Sequence, residues 1–88
     1  MIRKSIEVKL ANGLEARPVA ELVQIASKYD SVIHIEAQNK KVNAKSIMGM
    51  MTLKLQAGQE IDIVADGADE NEAVSEIEGY LQGAKTLI

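Results

Sequence analysis

The run Ile2-Arg3-Lys4-Ser5-Ile6-Glu7-Val8-Lys9-Leu10 repeats with a period of two. Its even positions Ile2, Ile6, Val8 and Leu10 are apolar, with Lys4 the single break, and its odd positions Arg3, Ser5, Glu7 and Lys9 are polar. Side chains along a strand alternate between faces, so this pattern predicts a strand with one covered and one wet face. A sheet with a wet face is the mark of antiparallel pairing. The same period returns at 32–37, where Ile33, Ile35 and Ala37 share a face, and at 60–65, where Ile61, Ile63 and Ala65 do. Gln38-Asn39-Lys40 reads as a tight turn into a short return strand, Lys41–Ala44, around Val42.

Helical spacing fills the gaps. Asn12-Gly13 ends the first strand, and Pro18 suits a first helical turn, where its missing N–H costs nothing. Val19, Leu22, Val23 and Ala26 then predict a helix from about Arg17 to Lys28. Ser46 is a favoured N-cap for a short helix through Leu53, weakened by Gly49. Ala73, Val74, Ile77, Tyr80, Leu81 and Ala84 mark a last helix. Asp69, Glu70 and Glu72 stand at its start, where the dipole favours negative charge. The order β-α-β-β-α-β-α predicts an α+β fold: an open-faced sandwich with a four-stranded antiparallel sheet and three helices on one face. At 88 residues the chain reads as a single domain, 1–88, without repeat or linker.

Composition narrows the chemistry. With no cysteine there is no disulfide, thiolate metal site or thiol nucleophile. The one histidine, His34, falls on the wet side of its strand with no serine or aspartate partner by spacing, so neither a metal site nor a general base is expected. No cofactor and no enzymatic activity are anticipated. A net charge of −3 gives no general attraction to nucleic acid. No apolar run approaches the roughly 18–20 residues of a membrane span, and the charged, alternating start is no signal peptide, so a cytoplasmic protein is expected.

Two segments can handle an anion. In Gly13-Leu14-Glu15-Ala16-Arg17-Pro18, a glycine turn leads into a helix start, where free N–H groups and the positive dipole end face outward, and Arg17 adds a cation. The plain reading makes Glu15 itself the anion there. In Lys45-Ser46-Ile47-Met48-Gly49, a phosphate on the capping serine would accept from unpaired N–H groups. Lys40, Lys41 and Lys45 lie near it in sequence, to recruit or screen its charge. The plain reading is a cap worth about 1 kcal/mol. So short a helix cannot bury all of its apolar residues. The plain reading of its methionines is core filling, expected for Met50 and Leu53, and the functional reading is a docking patch made by Ile47, Met48 and Met51.

Together, Gly13-Leu14-Glu15-Ala16-Arg17-Pro18 and Val42-Asn43-Ala44-Lys45-Ser46-Ile47-Met48-Gly49 closely resemble the two signature blocks of the HPr family, small phosphocarriers of the bacterial sugar phosphotransferase system. The resemblance implies four antiparallel strands under three helices, in agreement with the periodicity. In the carriers, a histidine between the residues matching Leu14 and Ala16 holds the phosphoryl group. Here that position is Glu15, which cannot form a phosphohistidine.

The serine block is kept. In Gram-positive members, a serine matching Ser46 is phosphorylated by the bifunctional HPr kinase/phosphorylase, and the product binds the repressor CcpA as a corepressor. A branch called Crh lacks the histidine and keeps the serine, and this chain is similar to it, with Glu15 where that branch carries glutamine. The resemblance therefore implies a regulatory protein in carbon catabolite repression. Phosphorylation would fall on Ser46, and docking would use Ile47, Met48 and Met51 together with Arg17, Ala20 and Gln24 of the first helix. The alternative is a phosphocarrier whose active-site histidine has been replaced.

Overall fold

The computed structural model describes residues 1–9, 16–37, 39–53 and 56–83, and within the first helix the side chains from Val19 onward. Its elements are β1 (Ile2–Glu7), α1 (Ala16–Ser27), β2 (Val32–Ala37), β3 (Lys40–Asn43), α2 (Ile47–Met51), β4 (Glu60–Asp66) and α3 (Glu70–Leu81). The four strands form one antiparallel sheet in the order β1-β4-β2-β3, so β4 lies between β1 and β2.

Register explains which face is covered. Ile6 pairs with Ile61, Ile35 with Ile63, Ile33 with Ala65, and Val42 with Ile35, which gathers the apolar residues on one side. Against them pack Val19, Leu22, Val23, Ile25 and Ala26 of α1 and Ala73, Val74, Ile77, Tyr80 and Leu81 of α3. The expected four-stranded sheet with three helices and one open face is what forms. Lys4, the break in the alternation, stands opposite Ile63 on the helix-covered side, and its ammonium reaches Glu78 of α3 at 3.0 Å. At an edge strand, a long charged side chain can cover apolar surface with its stem and keep its head in water.

The open face is polar but organised. Arg3 donates to Glu36 and to Asp62, each at 2.8 Å, and Ser5 donates to Asp62 at 2.6 Å, so one guanidinium ties β1, β4 and β2 together. His34 lies on this face, paired in register with Val64 and Asn43. Val64 is the exception to the wet face: it is buried, with Arg3 and His34 as its cross-strand neighbours.

The boundaries of α1, β3 and β4 shift by one residue from the sequence reading, which puts Lys40 in β3 and Ala44 beyond it, and β1 and α2 depart further. The first strand ends at Glu7, not Leu10, because Lys9 turns to donate its N–H to Leu81 at the end of α3, at 2.8 Å. The middle helix stops at Met51. Thr52 closes it, its hydroxyl donating to the Gly49 carbonyl at 2.6 Å, while Leu53 stays buried. The β2–β3 turn carries Asn39 at φ 64°, a left-handed conformation that asparagine tolerates well. Leu10, the turn at 12–13, Gln38 and Ala84 lie outside the described residues.

Asp69 does more than favour a dipole. It stands at the N-cap of α3 but makes no side-chain cap bond there. Its carboxylate accepts instead from the N–H groups of Asp30 (2.9 Å) and Ser31 (3.0 Å) and from the Ser31 hydroxyl. The Ser31 hydroxyl first, then the Asp30 N–H, holds this carboxyl below its ordinary range. Gly67 permits the approach, since a Cβ there would lie 2.7 Å from the Ser31 Cα. Two tyrosine–carboxylate bonds tie α3 to α1 and to the segment just past its end, Tyr80 to Glu21 at 2.7 Å and Tyr29 to Glu76. The latter pushes the Tyr29 phenol up to about 12. No helix among the described residues is long and apolar enough to cross a membrane.

Candidate functional site

The site begins in the turn that leaves β3. The Asn43 side-chain oxygen accepts the N–H of Lys45 at 2.8 Å, the two-residue reach of an Asx turn, and its carbonyl accepts the N–H of Ser46 at 3.0 Å. Ala44 is buried, and its N–H donates to the Ile33 carbonyl at 2.9 Å, which anchors the turn to the sheet. Ser46 is thereby held extended, at φ −113° and ψ 115°, the backbone an N-cap needs. Its Oγ accepts the N–H of Gly49 at 3.1 Å, and its carbonyl accepts the N–H of Met50 at 2.9 Å. The cap read from the sequence is present.

Met50 has no exposed surface and pins α2 to the core, whereas Met48 is 82% exposed and Ile47 and Met51 are each 47% exposed. A five-residue helix turns one side inward and must leave the rest outside. Met50 and Leu53 are thus buried as expected, and Ile47, Met48 and Met51 are exposed. Helix α1 packs beside α2, with Gln24 exposed and Ala20 half-buried. Arg17 lies in the first turn of α1 with its side chain outside the described residues, and Glu15 lies outside them altogether.

The lysines near Ser46 in sequence are not gathered around it. Lys45 donates through Nζ to the carbonyl of Tyr29, at 2.6 Å, just past the end of α1. Lys40 reaches the Thr52 carbonyl at 3.5 Å, at the opposite end of α2 from Ser46. Lys41 stands across from Glu36 in the sheet. Among the described residues, neither the Lys40 nor the Lys45 ammonium is therefore directed at the Ser46 hydroxyl. Among the described residues, no carboxylate or imidazole is hydrogen-bonded to the Ser46 hydroxyl. No group of three metal-ligating side chains is assembled among them either.

Asn43 was not singled out by sequence reasoning, although an asparagine two residues before the N–H it accepts is a readable turn signal. The contact of Lys45 with the Tyr29 carbonyl bridges sixteen positions and had no local signal.

A family model described as the PTS HPr component phosphorylation site matches residues 2–83. The HPr-like protein Crh of Bacillus subtilis strain 168 is 45% identical over 82 residues, which cover 93% of this chain and 96% of that protein. The crystal structure of phosphocarrier protein HPr from Bacillus anthracis superposes with a TM-score of 0.90 at 44% identity, covering 92% of this chain and 96% of the other. The crystal structure of Bacillus subtilis Crh gives 0.78 at 42% identity, covering 99% and 100%.

Proposed function

This chain belongs to the HPr family, and from that premise we propose that it is a regulatory phosphoprotein of the Crh kind, phosphorylated on Ser46 and read by a catabolite-control repressor. Members of the family are phosphocarrier or regulatory proteins, not enzymes. The observation that carries the reading is the pairing of a capping hydroxyl, Ser46, with the exposed apolar residues Ile47, Met48 and Met51 on the same short helix. Support also comes from the similarity to Crh of Bacillus subtilis, a protein described by its catabolite-repression role.

In the proposed reaction, an HPr kinase/phosphorylase removes the Ser46 proton, and Oγ attacks the γ-phosphorus of ATP. An O–P bond forms, and ADP leaves. The product adds about −1.5 to −2 charges beside the helix start. A CcpA-type repressor then offers basic side chains to the phosphate and an apolar groove to Ile47, Met48 and Met51, with Arg17, Ala20 and Gln24 at the margin. The protein works in the cytoplasm, where kinase, ATP and repressor are found, and it contacts neither membrane nor nucleic acid directly.

Glu15 stands where the carriers have histidine, so on this reading the chain does not relay phosphoryl groups from phosphoenolpyruvate. On the same reading, its permanent negative charge, two positions before Arg17 in the sequence, would partly imitate a phosphorylated carrier. The similarity to a phosphocarrier HPr favours one other reading, a carrier that has lost its acceptor. Recovery of phosphotransfer by Glu15→His would support it.

The test is incubation with an HPr kinase/phosphorylase and ATP, followed by intact mass and repressor binding. One phosphate is expected on the native chain and none on Ser46→Ala, with repressor binding only after phosphorylation. An unmodified native chain, or equal modification of Ser46→Ala, refutes the proposal.

A further inference from the structure

We propose that Met48 and Met51 form an oxidation-sensitive pair, whose conversion to sulfoxides turns the exposed apolar side of α2 polar while leaving the fold intact. Three of the five residues of α2 are methionines, and burial divides them sharply. Met48 is 82% exposed and Met51 47%, whereas Met50 is fully enclosed. A thioether is oxidised where the reagent reaches the sulfur, so exposure selects Met48 and Met51. In the step, hydrogen peroxide transfers one oxygen to sulfur. An S–O bond forms, the O–O bond breaks, sulfur is oxidised by two electrons and the peroxide is reduced to water.

The consequence follows from polarity. A sulfoxide oxygen is a strong hydrogen-bond acceptor, and burying it in an apolar groove without a donor is unfavourable. The same change at Met50 would disrupt the core, but its enclosure protects it. The cap is spared too, since its acceptor is the Ser46 hydroxyl and its donor the Gly49 N–H. Met1 is also exposed, at 77%, yet its amino group pairs with Glu70 at the start of α3, so its oxidation registers access without altering α2. Resting on the docking role proposed above, this gives the patch a second input: phosphate on Ser46 promotes docking, and oxygen on Met48 and Met51 cancels it.

The experiment treats the full chain with hydrogen peroxide, destroys the excess with catalase, and maps sulfoxides by peptide mass. Met48 and Met51 are expected to gain one oxygen each before Met50 gains any. The melting transition should stay cooperative and in place, and retention on a phenyl matrix should fall. Affinity of the Ser46-phosphorylated chain for the repressor should fall by about tenfold. The double variant Met48→Leu/Met51→Leu keeps the apolar volume without those thioethers, so peroxide should lower its matrix retention less than the native chain's, through Met1 alone, and should leave its affinity unchanged. Oxidation of Met50 at the same rate, loss of the fold together with oxidation, unchanged retention of the oxidised native chain, or an equal peroxide effect on the double variant would each overturn the inference. If the untreated phosphorylated chain fails to bind the repressor, the docking role falls instead, and the sulfoxide map and matrix retention still decide the chemistry.

Discussion

Ser46 has two roles that substitution can separate. Ser46→Ala removes the acceptor of the Gly49 N–H, which is made at 3.1 Å, and supplies no substitute. Loss of a serine N-cap costs about 1 kcal/mol. The helix it serves has only five residues, too short to be stable by itself, so nothing within the helix makes good the loss. Stability of the whole chain is expected at about 4–13 kcal/mol for 88 residues. The variant therefore remains folded but melts lower, by about 4–8 °C for each kcal/mol in a domain of this size. Ser46→Asp presents a carboxylate oxygen to the same N–H and ranks with serine as a cap, so it recovers most of the loss. Neither variant accepts a phosphate. Thermal unfolding followed by circular dichroism at neutral pH orders the three chains as native, then Ser46→Asp, then Ser46→Ala. If Ser46→Ala melts with the native chain, the cap contributes nothing. If Ser46→Asp melts as low as Ser46→Ala, the hydroxyl stabilises by some means other than capping.

Gly67→Ala would place a Cβ 2.6 Å from the Ser31 Oγ and 2.7 Å from its Cα, so the backbone must yield. Urea denaturation should show a loss of about 1–3 kcal/mol, and a native-like midpoint would refute the close approach. Met50→Ala should cost about 2–5 kcal/mol, because it empties a core site, whereas Met48→Ala should lie within about 0.5 kcal/mol of native. Equal urea midpoints for these two variants would contradict the division of the methionines. The carboxyls of Asp69, Asp62 and Glu36 are held below their ordinary range, by the Ser31 hydroxyl, the Ser5 hydroxyl and the Arg3 guanidinium respectively. Groups lowered on folding stabilise above their unfolded pKa and lose that contribution as pH falls through the folded value. The melting temperature should therefore decline from about pH 4 downward, and decline less steeply in Asp69→Asn, which should already melt lower at pH 7. An acid profile for Asp69→Asn as steep as the native one would contradict this.

The parts of the fold visible in the sequence are those that repeat locally. Ile33, Ile35 and Ala37 announce a face because a strand alternates, and Ser46 announces a helix start because few residues satisfy free N–H groups so well. What stays hidden is set by partners distant along the chain. Nothing near Lys4 foretells Glu78, and nothing near Asp69 foretells the N–H groups of Asp30 and Ser31, because each contact exists only once the sheet order is set. The lysines show the converse. Lys40, Lys41 and Lys45 are close in sequence, but β3 alternates and turns, which sends Lys40 to Thr52, Lys41 to the open face and Lys45 to Tyr29. Proximity in sequence suggested a basic cradle for Ser46, and strand geometry scatters it.

That scattering bears on how a phosphate at Ser46 would act. A modification that changes shape needs a second arrangement of the chain to favour. Here the apolar residues Ile47, Met48 and Met51 are already outside, Met50 already fixes the helix, and the cap is already formed by the unmodified hydroxyl. A phosphate has no hidden surface to release and no observed lysine contact to recruit. What it adds is charge and acceptor oxygens at the margin of an existing apolar patch. On the proposed reading, the modification therefore works as a label: apolar contact with the repressor is available at all times, and the phosphate supplies the charged contacts that make it strong enough. Backbone amide chemical shifts measured before and after phosphorylation distinguish the two modes. Changes confined to the turn at 43–46 and to α2 fit a label, whereas changes spreading through β4 and α3 would show a conformational switch and refute this account.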